Sequence, residues 1–215
     1  MPTATKIRVM LVDDHAVVRV GFRMLLAATG DIEVVAEADS GEVAYQRYPK
    51  VHPDVVIMDL SMPGMGGIDA VRRLLARDKT ARVLVLSAHE DTAHPKRALQ
   101  AGALGYLSKR TAPEALIEAV YAVAAGRSYL DAEIARKLAM QGLGSVPGRL
   151  EALSEREFSV FLQLARGHSV RNIAESLNLS PNTVGTHLYN IKQKLGAGNQ
   201  AELTLIAVRS GLIET

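Results

Sequence analysis

Three aspartates, Asp13, Asp14 and Asp59, each stand directly beyond a short unbroken apolar run: Val9, Met10, Leu11 and Val12 before the first two, and Val55, Val56, Ile57 and Met58 before the third. A run of that length without polar alternation reads as a strand buried on both faces of a parallel sheet. In open parallel sheets, ligands bind just past the carboxyl ends of the strands. If the two strands lie side by side, three carboxylates share one crevice. Like charges so close raise each other's proton affinity unless a cation neutralises them, and oxygen-only ligands with room for water suit Mg²⁺. The trio therefore reads as a magnesium site. A strand end followed by a helix cap would account for Val-Asp-Asp-His alone. Convergence of all three acids on one crevice is not something packing requires.

The elements that must position these acids form a regular alternation over residues 6–125. Apolar runs at residues 7–12, 32–36, 55–58, 83–86 and 105–107 are separated by stretches with helical spacing, such as Val17/Val18, Phe22 and Leu25/Leu26, then Val71 and Leu74/Leu75. Five strands alternating with helices predict an α/β fold, a doubly wound five-stranded parallel sheet with right-handed crossovers. The last helix opens with a capping-box pattern, Thr111-Ala-Pro-Glu114, and continues through Leu116, Val120 and Val123 towards Gly126. Ser87 and Lys109 fall at the ends of the fourth and fifth strands, on the same rim as the aspartates.

Asp13, Asp14, Asp59, Ser87 and Lys109, in this order and on these strand ends, resemble the receiver domain of bacterial response regulators. The resemblance covers residues 6–125 and implies a flavodoxin-like fold. It also implies that Asp59 is the phosphoacceptor, a carboxylate nucleophile that forms a mixed anhydride. Asp14, Asp59 and the backbone carbonyl of Ser61 would hold Mg²⁺, with Asp13 acting through water. Lys109 would add a second cation, Ser87 would donate its hydroxyl to a phosphoryl oxygen, and Tyr106 would swing inward behind it. Two departures from the family pattern bear on switching. Arg110 follows Lys109 where most receivers carry proline, so the usual cis peptide is not expected. His94-Pro95 falls near the start of the fourth helix and should shorten or reshape its first turn.

Other features point nowhere further. Gly64, Gly66 and Gly67 follow a strand, but Asp69 occupies the third glycine position of a dinucleotide fingerprint, so they read as turn residues. His89 and His94 are not spaced to share a helical face, which argues against a metal site there. With 215 residues, 48% hydrophobic and 22% charged, the chain has the make-up of an ordinary globular protein of two domains. It has no cysteine, so disulfides and thiolate metal sites are excluded. No apolar stretch approaches a signal-peptide core or a membrane span, so a cytoplasmic location without membrane association is expected. The net charge of +2 says little about partners; a nucleic-acid binder must show clustered basic groups locally.

Residues 126–149 read as a linker, with one amphipathic helix over residues 131–140 that turns Ile134 and Leu138 inward. A flexible loop over residues 141–148 and a boundary near Arg149 follow. From residue 150 to 215 the periodicity is helical only. Ser154-Glu-Arg-Glu157 is a capping box, Phe158, Phe161/Leu162 and Ala165 line one face, and Gly167 ends the helix. Ser169 caps a short helix burying Ile173, Ala174 and Leu177; Asn178 makes a tight turn, and Ser180-Pro181 opens the next helix. This is a helix-turn-helix pattern. Val184, Leu188, Ile191 and Leu195 must face inward, leaving Asn182, Thr186, Tyr189, Lys192 and Gln193 on the opposite face, as a helix lying in a major groove requires.

The stretch from Leu153-Ser-Glu-Arg-Glu157 through Ser180-Pro-Asn-Thr-Val-Gly-Thr-His187 to Lys194-Leu195 resembles the LuxR-type DNA-binding domain. With the receiver pattern it makes the whole chain similar to the NarL/FixJ-family two-component response regulators. Residues 201–213 are particularly similar to the Gac-type branch. The resemblance widens the DNA-facing set to Arg171, Ser180, Asn182, Thr183, Thr186, His187, Tyr189, Asn190, Lys192 and Lys194. Between Gly167 and Asn199 the only acid is Glu175, so this face is mildly basic. Leu203, Leu205, Ile206 and Val208 crowd the last helix, and the family suggests a self-complementary contact there.

These readings combine into a transcriptional regulator that is not an enzyme. A sensor histidine kinase phosphorylates it on Asp59, and it then binds double-stranded promoter DNA as a homodimer. Two alternatives stand beside this one. An Asp-nucleophile phosphatase would use similar groups, but it needs its two acids two residues apart after the first strand, where Asp13 and Asp14 are adjacent and His15 takes the third place. A regulator whose helical domain binds protein or RNA is the other.

Overall fold

The computed structural model describes residues 6–88, 93–111, 113–141, 150–210 and 212–213. The chain divides into two compact units, residues 1–137 and 138–215. His89, Ala112, the loop residues 142–148, Arg149 and, within the 201–213 stretch, Gly211 lie outside the described residues.

The first unit alternates strands and helices: β1 (Ile7–Val12), α1 (Ala16–Ala27), β2 (Ile32–Ala38), α2 (Gly41–Val51), β3 (Val55–Asp59), α3 (Gly67–Arg77), β4 (Val83–Ser87), α4 (Ala93–Gln100), β5 (Gly105–Ser108), α5 (Pro113–Ala124) and β6 (Tyr129–Leu130). Helix α6 (Ala132–Gln141) follows and crosses the division at 137/138. The strand order is β2-β1-β3-β4-β5-β6, with every pair parallel. Order reverses between β1 and β3, so the crevice past their carboxyl ends is the natural ligand position in such a sheet.

Strand period sorts the central residues between two layers. Val9, Leu11, Val55, Ile57, Leu84 and Leu86 pack with Leu26 of α1 and with Leu116, Ala119, Val120 and Val123 of α5. Their neighbours Met10, Val12, Val56, Met58, Val83 and Val85 point the other way and are equally buried. Each fully buried side chain of this size is worth about 1.5–3 kcal/mol, which fixes the strand ends, and therefore the aspartates, on a rigid base. Val17 departs from the expected α1 pattern: it is 84% exposed, and Phe22, Leu25 and Leu26 carry the buried face.

The sheet has six strands, not the expected five. Tyr129 donates its backbone N–H to the Leu104 carbonyl at 3.1 Å, and Asp131 donates to Tyr106 at 3.2 Å, so part of the segment read as linker is an edge strand. Two residues are too short to show any alternation in sequence. Within the described residues α4 spans Ala93–Gln100, with His94 and Pro95 at the start of that span, and no cis peptide occurs among the described residues, Lys109–Arg110 included.

Helix α3 starts directly behind Asp59. A Cβ on Gly67 would lie 2.1 Å from the Asp59 carbonyl oxygen and 2.7 Å from Leu60 Cα, backbone atoms that cannot move aside. Gly67→Ala is therefore expected to destabilise the first unit by about 1–3 kcal/mol through overpacking, read from the urea midpoint. An unchanged midpoint would mean that helix and strand part without penalty.

The second unit is helical: a 3₁₀ turn (Leu150–Ala152), α7 (Glu155–Ala165), α8 (Val170–Ser176), α9 (Pro181–Leu195) and α10 (Gln200–Arg209). Ser154, Ser169, Ser180 and Asn199 each accept a backbone N–H at the start of a helix, and Ser154 with Glu157 forms the full reciprocal capping box. Asn178 adopts φ 52°, the left-handed turn between α8 and α9. Phe158, Phe161, Ile173, Val184, Ile191, Leu195 and Leu203 fill the core, while Leu177 and Leu188 are only half-buried.

Candidate functional site

The crevice past β1 and β3 gathers the acids named from the sequence. Ligand atoms of Asp13, Asp14, His15 and Asp59 all lie within 4.8 Å of one another. Asp13 and Asp59 are buried, and Asp14 is partly exposed at the rim. Lys109, carried beyond β5, reaches across the rim: its Nζ lies 2.6 Å from Asp13 Oδ2 and 2.9 Å from Asp59 Oδ2. The backbone tie from the Lys109 N–H to the Ser87 carbonyl, 2.8 Å, sets where that lysine begins.

Electrostatics at this point are opposed and close. Burial pushes the Asp59 carboxyl above the usual aspartate value, with Asp13 adding to the rise and Lys109 working against it. Burial alone would lower Lys109, but the facing Asp59 and Asp13 outweigh it and raise the ammonium's proton affinity. Three carboxyl groups, two of them buried, thus share one lysine ammonium and the His15 ring, with a backbone hydrogen bond from Ser61 also reaching Asp59. Buried carboxylates sharing so little positive charge are costly unless something else meets them. The donor set is oxygen-rich and suits a hard divalent cation, so the residues fit Mg²⁺.

Two neighbours were not singled out in the sequence. His15 stands 65% exposed at the mouth, its Nδ1 2.9 Å from Asp14 Oδ1 and 3.1 Å from Asp13 Oδ1, and its backbone N–H donates to Asp13 Oδ1 at 2.8 Å. Arg19 donates from Nη1 to the Asp13 carbonyl at 2.7 Å and from Nε to Glu37 at 3.1 Å, fixing the turn that presents Asp13. An arginine inside an otherwise apolar helical stretch was the only signal available. Ser87 is fully buried at the end of β4, and Ser61 is partly exposed after β3. Tyr106 is also fully buried, in register with Val85 of β4, so its ring already occupies the interior position.

On α9, Asn182, Thr183, Thr186 and Tyr189 are exposed, Tyr189 at 65%, and Asn190 is partly exposed. Ser180 caps the helix and shares a hydroxyl contact with Thr183 at 2.8 Å. Thr186 bonds back to the Asn182 carbonyl. Arg171 is exposed beside Glu175, an i,i+4 pair worth little on a surface. His187 is partly buried, which lowers its proton affinity, with Glu157 opposing that effect. The two lysines of this set are each engaged within the second unit. Lys192 Nζ donates to the Gly198 carbonyl at 3.2 Å, and Lys194 Nζ is held 2.5 Å from Glu157 of α7.

Burial opposes ionisation of Glu157, yet Lys194 and the Ser154 N–H prevail and hold its carboxyl below the usual 4.5. A lowered carboxyl contributes stability that is complete above that ordinary value and is lost as pH falls through the depressed one. Lys194→Met is therefore expected to lower the stability of the second unit at neutral pH and to flatten its loss on acidification below about pH 4.5. Thermal melts across pH 3–7 read both effects, and a parent and variant with parallel profiles would contradict the pairing.

Residues 9–121 match the family described as response regulator receiver domain, and residues 151–207 match bacterial regulatory proteins of the luxR family. The chain is 39% identical over 210 residues to response regulator GacA of Pseudomonas aeruginosa, covering 97% of this chain and 98% of that protein. The chain is a two-component response regulator. It is also 40% identical to response regulator UvrY of Escherichia coli K12, over 96% of this chain and 95% of the other. A solved structure of two RcsB dimers bound to two parallel DNAs is 27% identical, with a TM-score of 0.61 over 95% of this chain and 99% of that one. Membership sets the phosphatase alternative aside: the response regulator's output is transcriptional, not enzymatic. Among the described residues no helix is long and apolar enough to cross a membrane.

Proposed function

We propose that Asp59 accepts a phosphoryl group from a phosphohistidine of a sensor kinase, and that the phosphorylated chain binds promoter DNA through α8 and α9. The placement of Lys109 Nζ 2.9 Å from Asp59 Oδ2, in the crevice where Asp13 and Asp14 also converge, is the observation that carries this reading. One carboxylate oxygen attacks phosphorus, the histidine N–P bond breaks, and the imidazole leaves with the electron pair and takes up a proton. Asp14, Asp59 and the Ser61 carbonyl would hold Mg²⁺, with Asp13 acting through water. Bound Mg²⁺ supplies charge neutralisation on the transferring group. Lys109 would add a fixed cation, and Ser87, at the end of β4 beside β3, would donate its hydroxyl to a phosphoryl oxygen. Tyr106, buried on neighbouring β5, would respond to that contact.

For the output, α9 offers Asn182, Thr183, Thr186, Tyr189 and Asn190 to base edges, with Arg171, Ser180, His187, Lys192 and Lys194 at the flanks. Release of Lys194 from Glu157 would have to accompany any phosphate contact by that lysine. A cytoplasmic homodimer on paired half-sites fits Leu205, a 53% exposed leucine on α10. The DNA-bound RcsB dimers, on a similar chain, support this arrangement. The domain limits we propose are 1–125 for the alternating strands and helices of the receiver, 126–149 for a connecting segment that adds edge strand β6 to the receiver sheet before its helix and loop, and 150–215 for the DNA-binding domain.

The test is capture of genomic promoter fragments with and without acetyl phosphate, followed by sequencing. Phosphodonor-dependent enrichment of a shared motif is expected, and its disappearance in Asn182→Ala/Thr186→Ala/Tyr189→Ala. Enrichment that survives this triple substitution would assign the output elsewhere.

A further inference from the structure

Gly185 lies in the interior of α9, where glycine is an unfavourable choice. It loses more backbone freedom on folding than any other residue and weakens an exposed helix relative to alanine. Proteins accept this for two structural reasons: a left-handed backbone, or a neighbour that leaves no room for a Cβ. Neither holds here. The backbone is ordinary helix, and a Cβ built on Gly185 meets nothing within 4 Å. The position is exposed, and at helical spacing it stands between Asn182, Thr186 and Tyr189, all of them exposed as well. The centre of the outward face is therefore a recess walled by hydrogen-bonding side chains.

We infer that Gly185 is a specificity-determining position, an absent side chain that lets the α9 backbone approach base-pair edges closely enough for Asn182, Thr186 and Tyr189 to read them. This rests on the DNA-binding reading above. Side chains as short as Asn and Thr reach a base edge only from a helix seated deeply in the groove. The setting also suits that occupant, since Glu175 is the only acid between Gly167 and Asn199. A methyl group at 185 would hold the helix off and loosen every one of these contacts together. A long cation there would add a charge that favours any duplex whatever its sequence, while holding the helix off in the same way.

The experiment uses the full chain treated with acetyl phosphate and a pool of duplexes with a randomised core. Parent, Gly185→Ala and Gly185→Lys are each measured on the duplex the parent enriches and on a scrambled duplex of the same composition. Gly185→Ala should melt about 4 °C higher, because the helix is strengthened, yet bind the enriched duplex at least about fivefold more weakly with its scrambled-duplex affinity unchanged. Gly185→Lys should tighten on the scrambled duplex, with a steeper salt dependence, and lose preference between the two. A Gly185→Ala variant that keeps the parent's affinity for the enriched duplex would overturn the inference alone. A parent that enriches no sequence would overturn the DNA-binding reading and the inference with it. The melting shift separates both results from a variant that failed to fold.

Discussion

Asp59→Asn is expected to abolish uptake of label from acetyl phosphate while raising the melting temperature of the divalent-free chain at neutral pH. The first effect follows because a carboxamide has no anionic oxygen to attack phosphorus. The second follows from burial. Asp59 is 2% exposed, and its proton affinity is raised by loss of solvent and by Asp13. A raised carboxyl contributes stability that is complete below the ordinary value of 3.8 and is lost as pH rises through the higher folded value. At pH 7 the ionised group is thus a net cost, which the amide removes while leaving Lys109 to pair with Asp13. The advantage of the variant should shrink as the pH is lowered towards 3.8. Thermal melts across that range, beside an autoradiograph of label uptake, check both halves; a variant less stable than the parent at pH 7 would refute the electrostatic account.

The opposite sign is expected at the partner. Lys109→Ala strips the counter-ion from Asp13 and Asp59, which are 7% and 2% exposed at their side chains. Removing one member of a buried pair leaves charge without compensation and typically costs about 3–5 kcal/mol. Urea unfolding at pH 7 should show this loss, and added Mg²⁺ should restore more stability to the variant than to the parent, since a cation that binds only the folded state stabilises it by mass action. Equal Mg²⁺ responses would mean that lysine and metal do not address the same carboxylates. Label uptake should fall as well, because Lys109 is the fixed cation nearest Asp59.

Which parts of this molecule can be read in its sequence depends on how local the cause is. Strands β1 to β5 were legible because each is an apolar run with no competing period, and Ser154, Ser169, Asn178 and Ser180 were legible because capping and left-handed turns act within three or four residues. The convergence of Asp13, Asp14 and Asp59 followed from strand ends alone. Strand β6 was not legible, since Tyr129 and Leu130 owe their strand character to the bare edge of β5 and to nothing in their own spacing. Helical periodicity puts Lys192 and Lys194 near the outward face of α9, but flexible side chains reach back to Gly198 and Glu157, a choice made by tertiary neighbours. Val17 was misplaced for a related reason: α1 buries one narrow stripe, and an apolar residue beside it is not obliged to join.

Strand β6 has a practical consequence for anyone dissecting or recombining such regulators. Asp131 accepts the Thr111 hydroxyl at 3.1 Å through one carboxylate oxygen and the Glu133 and Ile134 N–H groups through the other, so the start of α6 is stapled to the loop after β5. A truncation at residue 125 removes both the staple and the strand, and leaves β5 with an unpaired ladder of donors and acceptors. Unprotected edges of that kind invite self-association. Chimeras that attach a new effector module should carry the native chain through Gln141, and fragments cut shorter should be judged first by whether they stay monodisperse.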